Sequence, residues 1–125
     1  MRVKVAREDI YIPQWRGNRD LPDEEQIKIE YSLMTAAQEE KFSELQPKYV
    51  NEGDQVHYEV EVRYNINAIW DECVKSIKNF IWDDGKKEIP VTDPKKIQDV
   101  PGIYDLITEV VAHIKRGITE DDRKN

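Results

Sequence analysis

Residues 26 to 33 alternate without a break. Ile27, Ile29, Tyr31 and Leu33 fall on one face, and Lys28, Glu30 and Ser32 on the other. A side-chain period of two with one apolar face describes a half-buried strand. Near the other end the period changes. Ile103, Leu106, Ile107, Val110, Val111 and Ile114 form a broad apolar stripe at helical spacing, with Asp105 and Glu109 early and Lys115 and Arg116 late, the charge order a helix dipole favours. Both periods in 125 residues point to one α+β domain, a small antiparallel sheet packed with helices.

The remaining elements fill in around these two. Val3 and Val5, then Ile10 and Ile12, alternate with polar residues, so 2–12 reads as a strand or hairpin turning near Glu8-Asp9, stopped by Pro13. Thr35 with Gln38 is a capping box, opening a helix over 35–45 anchored by Phe42 and Leu45 and ended by Pro47. Residues 47–55 read as an exposed loop. Val56, Tyr58, Val60, Val62 and Tyr64 alternate with His57, Glu59, Glu61 and Arg63, which makes 56–64 a candidate third strand. Val56, Val60 and Tyr64 are also spaced for a helix. From Asn65, a good N-cap, Ile66, Ile69, Trp70, Cys73, Ile77, Phe80 and Ile81 keep helical spacing, giving a helix over 65–79. Asp84-Gly85 marks a small hairpin, Asp93 caps a one-turn helix over 94–100 with Pro94 in its first turn, and the last helix spans 103–116 with Gly117 as its cap. Residues 1–117 are thus expected to form a single domain, and 118–125 a polar tail that frays.

Charge bounds the function. Charged residues make up 36% of the chain and hydrophobic ones 38%, and the net charge is −7. That balance disfavours a nucleic-acid partner, which calls for a basic footprint. The single cysteine excludes an intrachain disulfide, and neither a signal-peptide core nor a membrane-length apolar run is present. A cytoplasmic protein is expected.

The chemistry-bearing residues are sparse. There is no Gly-rich phosphate loop, C-x-x-C or H-E-x-x-H. Cys73, His57 and His113 could meet as a Cys-His pair or as metal ligands, but Cys73 lies on an apolar stripe and reads as core. The pairs Glu24-Glu25, Glu39-Glu40, Asp83-Asp84 and Asp121-Asp122 lack metal-site spacing. No catalytic, cofactor-binding or metal-binding residue is therefore expected, and the chain reads as a non-enzyme. What is left without a full structural explanation is the loop from Trp15 to Glu25. A Trp in so polar a loop either folds back on the core, the slightly favoured reading, or meets a partner; Trp15 and Arg16 are residue types enriched in interface hot spots, and Asn18, Asp23 and Glu24 accompany them. Trp82, beside a turn, poses the same question. These six are the candidate partner-binding residues.

Three patterns carry a family resemblance. The first is I-P-x-W-x-G-N-x-x-L-P-x-x-E-Q-I-x-I from Ile12 to Ile29. The second is S-I-K-N-F-x-W-D-D-G-K-K-E-I from Ser76 to Ile89. The third is L-I-x-E-V from Leu106, followed by the I-T-E-D-D-x-K-N tail. In their order and spacing the chain resembles the small tail assembly chaperones of long-tailed, siphovirus-type bacteriophages. Residues 46–64 carry none of these patterns. The resemblance implies a protein that acts in the cytoplasm of the bacterial host. It would bind the tape-measure protein, keep it soluble, help recruit tail-tube subunits and be absent from the finished virion. A frameshifted longer form is also implied, and no catalytic residue or cofactor. A homo-oligomer is compatible. The competing readings are another small phage adaptor (a head–tail connector or minor tail component), an acidic host-takeover inhibitor, and a metal-dependent hydrolase using the scattered carboxylates.

Overall fold

Strand β1 (Glu8–Tyr11) lies antiparallel to β2 (Lys28–Ser32), which lies antiparallel to β5 (Val74–Lys78), giving a three-stranded sheet in the order β1-β2-β5. This is a computed structural model, and it describes residues 1–3 and 7–116. The expected Gly117 cap, the 118–125 tail and Val5 of the first expected strand lie outside those residues. The α+β class holds: small antiparallel sheets packed with helices.

The strand read most directly from sequence is β2. Its Ile29 and Tyr31 are buried while Lys28, Glu30 and Ser32 are half-buried. Glu8 and Asp9 pair with Ser32 and Tyr31, so they belong to β1 and do not form the turn expected there.

Helix α1 (Ala36–Phe42) opens on the reciprocal Thr35–Gln38 capping box. It ends at Phe42, three residues short of the expected 45, because the backbone passes directly into β3 (Ser43–Glu52). The expected exposed loop at 47–55 is therefore mostly strand. β3 pairs in continuous register with β4 (Gln55–Tyr64), from Ser43 opposite Tyr64 to Glu52 opposite Gln55. The strand reading of 56–64 holds, but β4 joins β3 in a separate ribbon and not the main sheet.

Helix α2 (Ile66–Cys73) starts at Asn65, whose Oδ1 accepts from the Ala68 N–H at 3.1 Å. The expected helix over 65–79 stops at Cys73 and becomes β5. The reason is a register shift in the β2–β5 pairing: Glu30 faces Ser76, and Tyr31 faces Val74. The extra residue turns both Val74 and Ile77 into the core. That spacing of three imitates a continuing helix.

Strands β6 (Ile81–Asp83) and β7 (Glu88–Pro90) form the small hairpin expected around Asp84-Gly85. The carboxylates of Asp83 and Asp84 accept from the N–H groups of Gly85, Lys86 and Lys87. These bonds hold the Asp84 carboxyl below the usual carboxylate range, so this acidic pair is turn chemistry. A 3-10 turn over Pro94–Asp99 follows its Asp93 cap.

Helix α3 (Tyr104–Arg116) packs against α2 and reaches β2 and the Trp15–Asp20 turn. Ile29, Ile69, Trp70, Cys73, Ile97, Leu106 and Val110 are fully buried where these elements meet. Trp70 donates its indole N–H to the Pro94 carbonyl at 2.7 Å, so its polar handle is not left unpaired. No helix among the described residues is long and apolar enough to cross a membrane.

Candidate interaction surface

The loop after β1 is built by Asn18. Its side chain is 2% exposed. Its Nδ2 donates to the Pro13 and Ile27 carbonyls at 2.9 and 3.1 Å, and its Oδ1 accepts from the Ile27 N–H at 2.6 Å. One amide thus clips both ends of the loop together. Among the contact candidates, Asn18 is thus the one whose side chain is buried and bonded within the loop. The sharp path is completed by Arg16 (φ 50°) and Gly17 (φ 73°), both in the left-handed region.

Trp15 folds back. It is half-buried, packs against the core and stacks on Phe80 with ring centroids 6.2 Å apart. Arg16 is exposed, with its guanidinium 4.6 Å from the Trp15 ring centroid. The exposed Asp23 accepts from Lys28 Nζ at 3.0 Å, and Glu24 is also exposed. Trp82 is half-buried against the core. An open depression of about 400 Å³ lies nearby, lined by Ile77, Phe80, Ile81, Pro90 and Val91 among others. Of the six candidates, Arg16, Asp23 and Glu24 present exposed side chains, and Trp15 and Trp82 present part of a ring.

The residues weighed for Cys-His chemistry lie on three separate elements. Cys73 is buried, and burial, with Glu72 beside it, pushes its thiol pKa up. His113 stacks on Tyr11 with centroids 4.0 Å apart, and its Nε2 is 2.8 Å from the Tyr31 hydroxyl. His57 lies on β4 near Glu52 and Glu59. Among the described residues no three His, Cys, Asp or Glu side chains come together in a way that could hold a metal ion.

Among the described residues, half of the exposed large hydrophobic side chains stand on the β3–β4 ribbon, of which only the second strand is expected from the sequence. Side chains directly opposite each other share a face. One face therefore carries the pairs Leu45–Val62, Pro47–Val60, Tyr49–Tyr58 and Asn51–Val56. The other carries Glu44–Arg63, Gln46–Glu61, Lys48–Glu59, Val50–His57 and Glu52–Gln55. The first face is apolar and open: Leu45 is 72% exposed, Tyr49 73% and Val56 65%. Tyr49 and Tyr58 meet edge to face at 5.5 Å. At the base of the ribbon Tyr64 packs against the core, with Lys115 Nζ 3.9 Å from its ring centroid. The missed signal is L-x-P-x-Y over 45–49, mirrored by V-x-Y-x-V-x-V over 56–62 about Gly53-Asp54. Gly53 takes φ 61°, as a two-residue hairpin turn needs at its first central position.

In comparisons with known proteins, the chain matches no family model, no curated protein and no solved structure.

Proposed function

We propose that the protein is a phage-type tail assembly chaperone that holds a tape-measure protein through the apolar face of its β3–β4 ribbon. One observation carries the binding half of this reading: an uncharged strip of Leu45, Tyr49, Val56, Tyr58, Val60 and Val62 stands open, each residue at least half exposed. A contiguous patch of this kind marks a protein contact. A long helical client exposes an apolar stripe before assembly, and a flat amphipathic ribbon can cover such a stripe while turning Glu44, Glu59 and Glu61 to solvent. The net charge of −7 then keeps the complex soluble. The tape-measure identity of the client, the recruitment of tail-tube subunits and the host cytoplasm as the place of action rest on the sequence resemblance.

Co-expression tests this. The wild-type chain is expected to move a tape-measure protein into the soluble fraction and to co-purify with it. The Leu45→Ser/Tyr49→Ser/Tyr58→Ser variant is expected to fold and lose both effects. If wild type leaves the client insoluble and uncaptured, the chaperone reading fails. Mass spectrometry of purified particles separates the adaptor reading, which requires a fixed copy number in the virion.

A further inference from the structure

The ribbon has two edges, and they are not equivalent. The Asn65 N–H donates to the Phe42 carbonyl at 2.8 Å, in line with the β3–β4 register. Counting alternately from that bond, Glu44–Arg63, Gln46–Glu61, Lys48–Glu59, Val50–His57 and Glu52–Gln55 point their backbone groups at each other. The backbone groups of Leu45, Pro47 and Tyr49 point out along β3, and those of Val56, Tyr58, Val60 and Val62 point out along β4. Pro47 has no N–H, so the β3 edge lacks a donor at its middle, a common way to blunt an edge. The β4 edge has every donor and acceptor in place and no Pro, Gly or bulge over 55–64. An open edge of that length is a template for another strand.

We propose that this edge pairs with β4 of a second copy, antiparallel about a two-fold axis through Tyr58. The charges on β4, with the length of strand paired, select that register: an axis at His57 pairs only residues 55–59 and one at Val56 only 55–57. An axis at Glu59 or Glu61 sets that carboxylate against its own copy. An axis at Val60 sets Glu59 against Glu61 twice. Each juxtaposition is destabilising. An axis at Tyr58 sets His57 against Glu59 twice, Gln55 against Glu61 twice and Val56 against Val60 twice, with no like charges opposed. It pairs seven residues, 55 to 61. An axis at Val62 also matches charges, Glu61 with Arg63, but reaches past Tyr64 toward helix α2 and the core. Pairing at Tyr58 directs the two cores to opposite ends, each about 20 Å from the axis at roughly 3.4 Å per residue, so they do not collide. The product is a four-stranded sheet β3-β4-β4-β3. Its apolar face is twice as wide as one ribbon's, and that is the face assigned above to the client. The pairing itself does not depend on what the client is.

Single-cysteine crosslinking of the purified protein, with no client present, reads the register. Residues at a hydrogen-bonded antiparallel pair have Cα atoms about 5.5 Å apart, within disulfide reach. Tyr58→Cys is expected to give a disulfide-linked dimer on mild oxidation. Val56→Cys or Val60→Cys alone is expected to give none, because each lies roughly 14 Å from its own copy; mixing the two is expected to restore the crosslink. Buried Cys73 remains as the silent background. In sedimentation, His57→Glu is expected to shift wild-type dimer to monomer, and adding Glu59→Lys to restore it. A monomeric wild type, or Val60→Cys crosslinking alone as well as Tyr58→Cys does, overturns the proposal. A monomer that still captures the client sinks only this pairing; a dimer that ignores the client sinks only the chaperone reading.

Discussion

Asn18 replaces at one position what a longer loop would need several residues to do. Removing its amide orphans the Ile27 N–H and two carbonyls in a place water reaches poorly. Asn18→Ala is expected to cost about 2 kcal/mol, read as a lower urea midpoint with unchanged slope. Trp15 shares the loop and has a mixed role. Its half-buried ring and its stack on Phe80 mean that Trp15→Ala costs stability, about 1–2 kcal/mol, without dissolving the sheet. Urea melts followed by far-ultraviolet circular dichroism check this. Tyr11 gives a third prediction. Burial, with the Glu109 carboxylate accepting from its hydroxyl at 2.7 Å, pushes its pKa from 10.0 to about 12. Below about pH 10 both folded and unfolded states keep the phenol proton, so the group contributes no pH dependence. Between about 10 and about 12 the unfolded chain loses the proton while the folded one keeps it, so stability falls as pH rises. Comparing wild type with Tyr11→Phe over that interval isolates the slope; equal slopes exclude it.

The elements show how far sequence pattern reaches. β2, the α1 capping box, the Asp84-Gly85 hairpin and α3 were legible because each is fixed by local chemistry or by one uninterrupted period. α2 was over-extended because a bulge opposite Tyr31 places Val74 and Ile77 three residues apart on the buried side, and no local signal separates that from a helix. The first half of the ribbon was misread because Leu45 and Phe42 are spaced like helix anchors, and Pro47 reads as a helix stop before it reads as an edge residue. What decides the matter is pairing with β4, a partner distant in sequence. Among the site candidates, Trp15 and Arg16 were recognisable as unusual by type, but the Asn18 clip needed the Pro13 and Ile27 backbones in view. The ribbon's independence is testable at this scale. Ser43 and Tyr64 face each other at its base, so a short Gly/Asn/Ser linker can replace 44–63. The excised chain is expected to keep its near-ultraviolet circular dichroism and its urea midpoint, and to lose client binding. A collapsed midpoint makes the ribbon part of the core.

At the scale of the whole molecule the core and the ribbon answer to different forces. The core is held by buried apolar side chains, among them Ile29, Trp70, Ile97 and Leu106. The ribbon is held by its ladder and by side chains that are still largely hydrated. Parts with few buried contacts open on their own, at lower free energy than the global transition. Cys73 can report which part is opening. It is 0% exposed, and its thiol is held protonated by burial, so thiol reagents reach it only when α2 separates from its neighbours. When reclosing outpaces labelling, the labelling rate follows the equilibrium population of that open form. Asn18→Ala, at about 2 kcal/mol, should then label roughly 30-fold faster than wild type. Ribbon excision should leave the rate unchanged, although it removes about a sixth of the chain. Ribbon and loop variants that accelerate Cys73 labelling equally would mean that the two parts unfold as one and that the ribbon is not independent of the core.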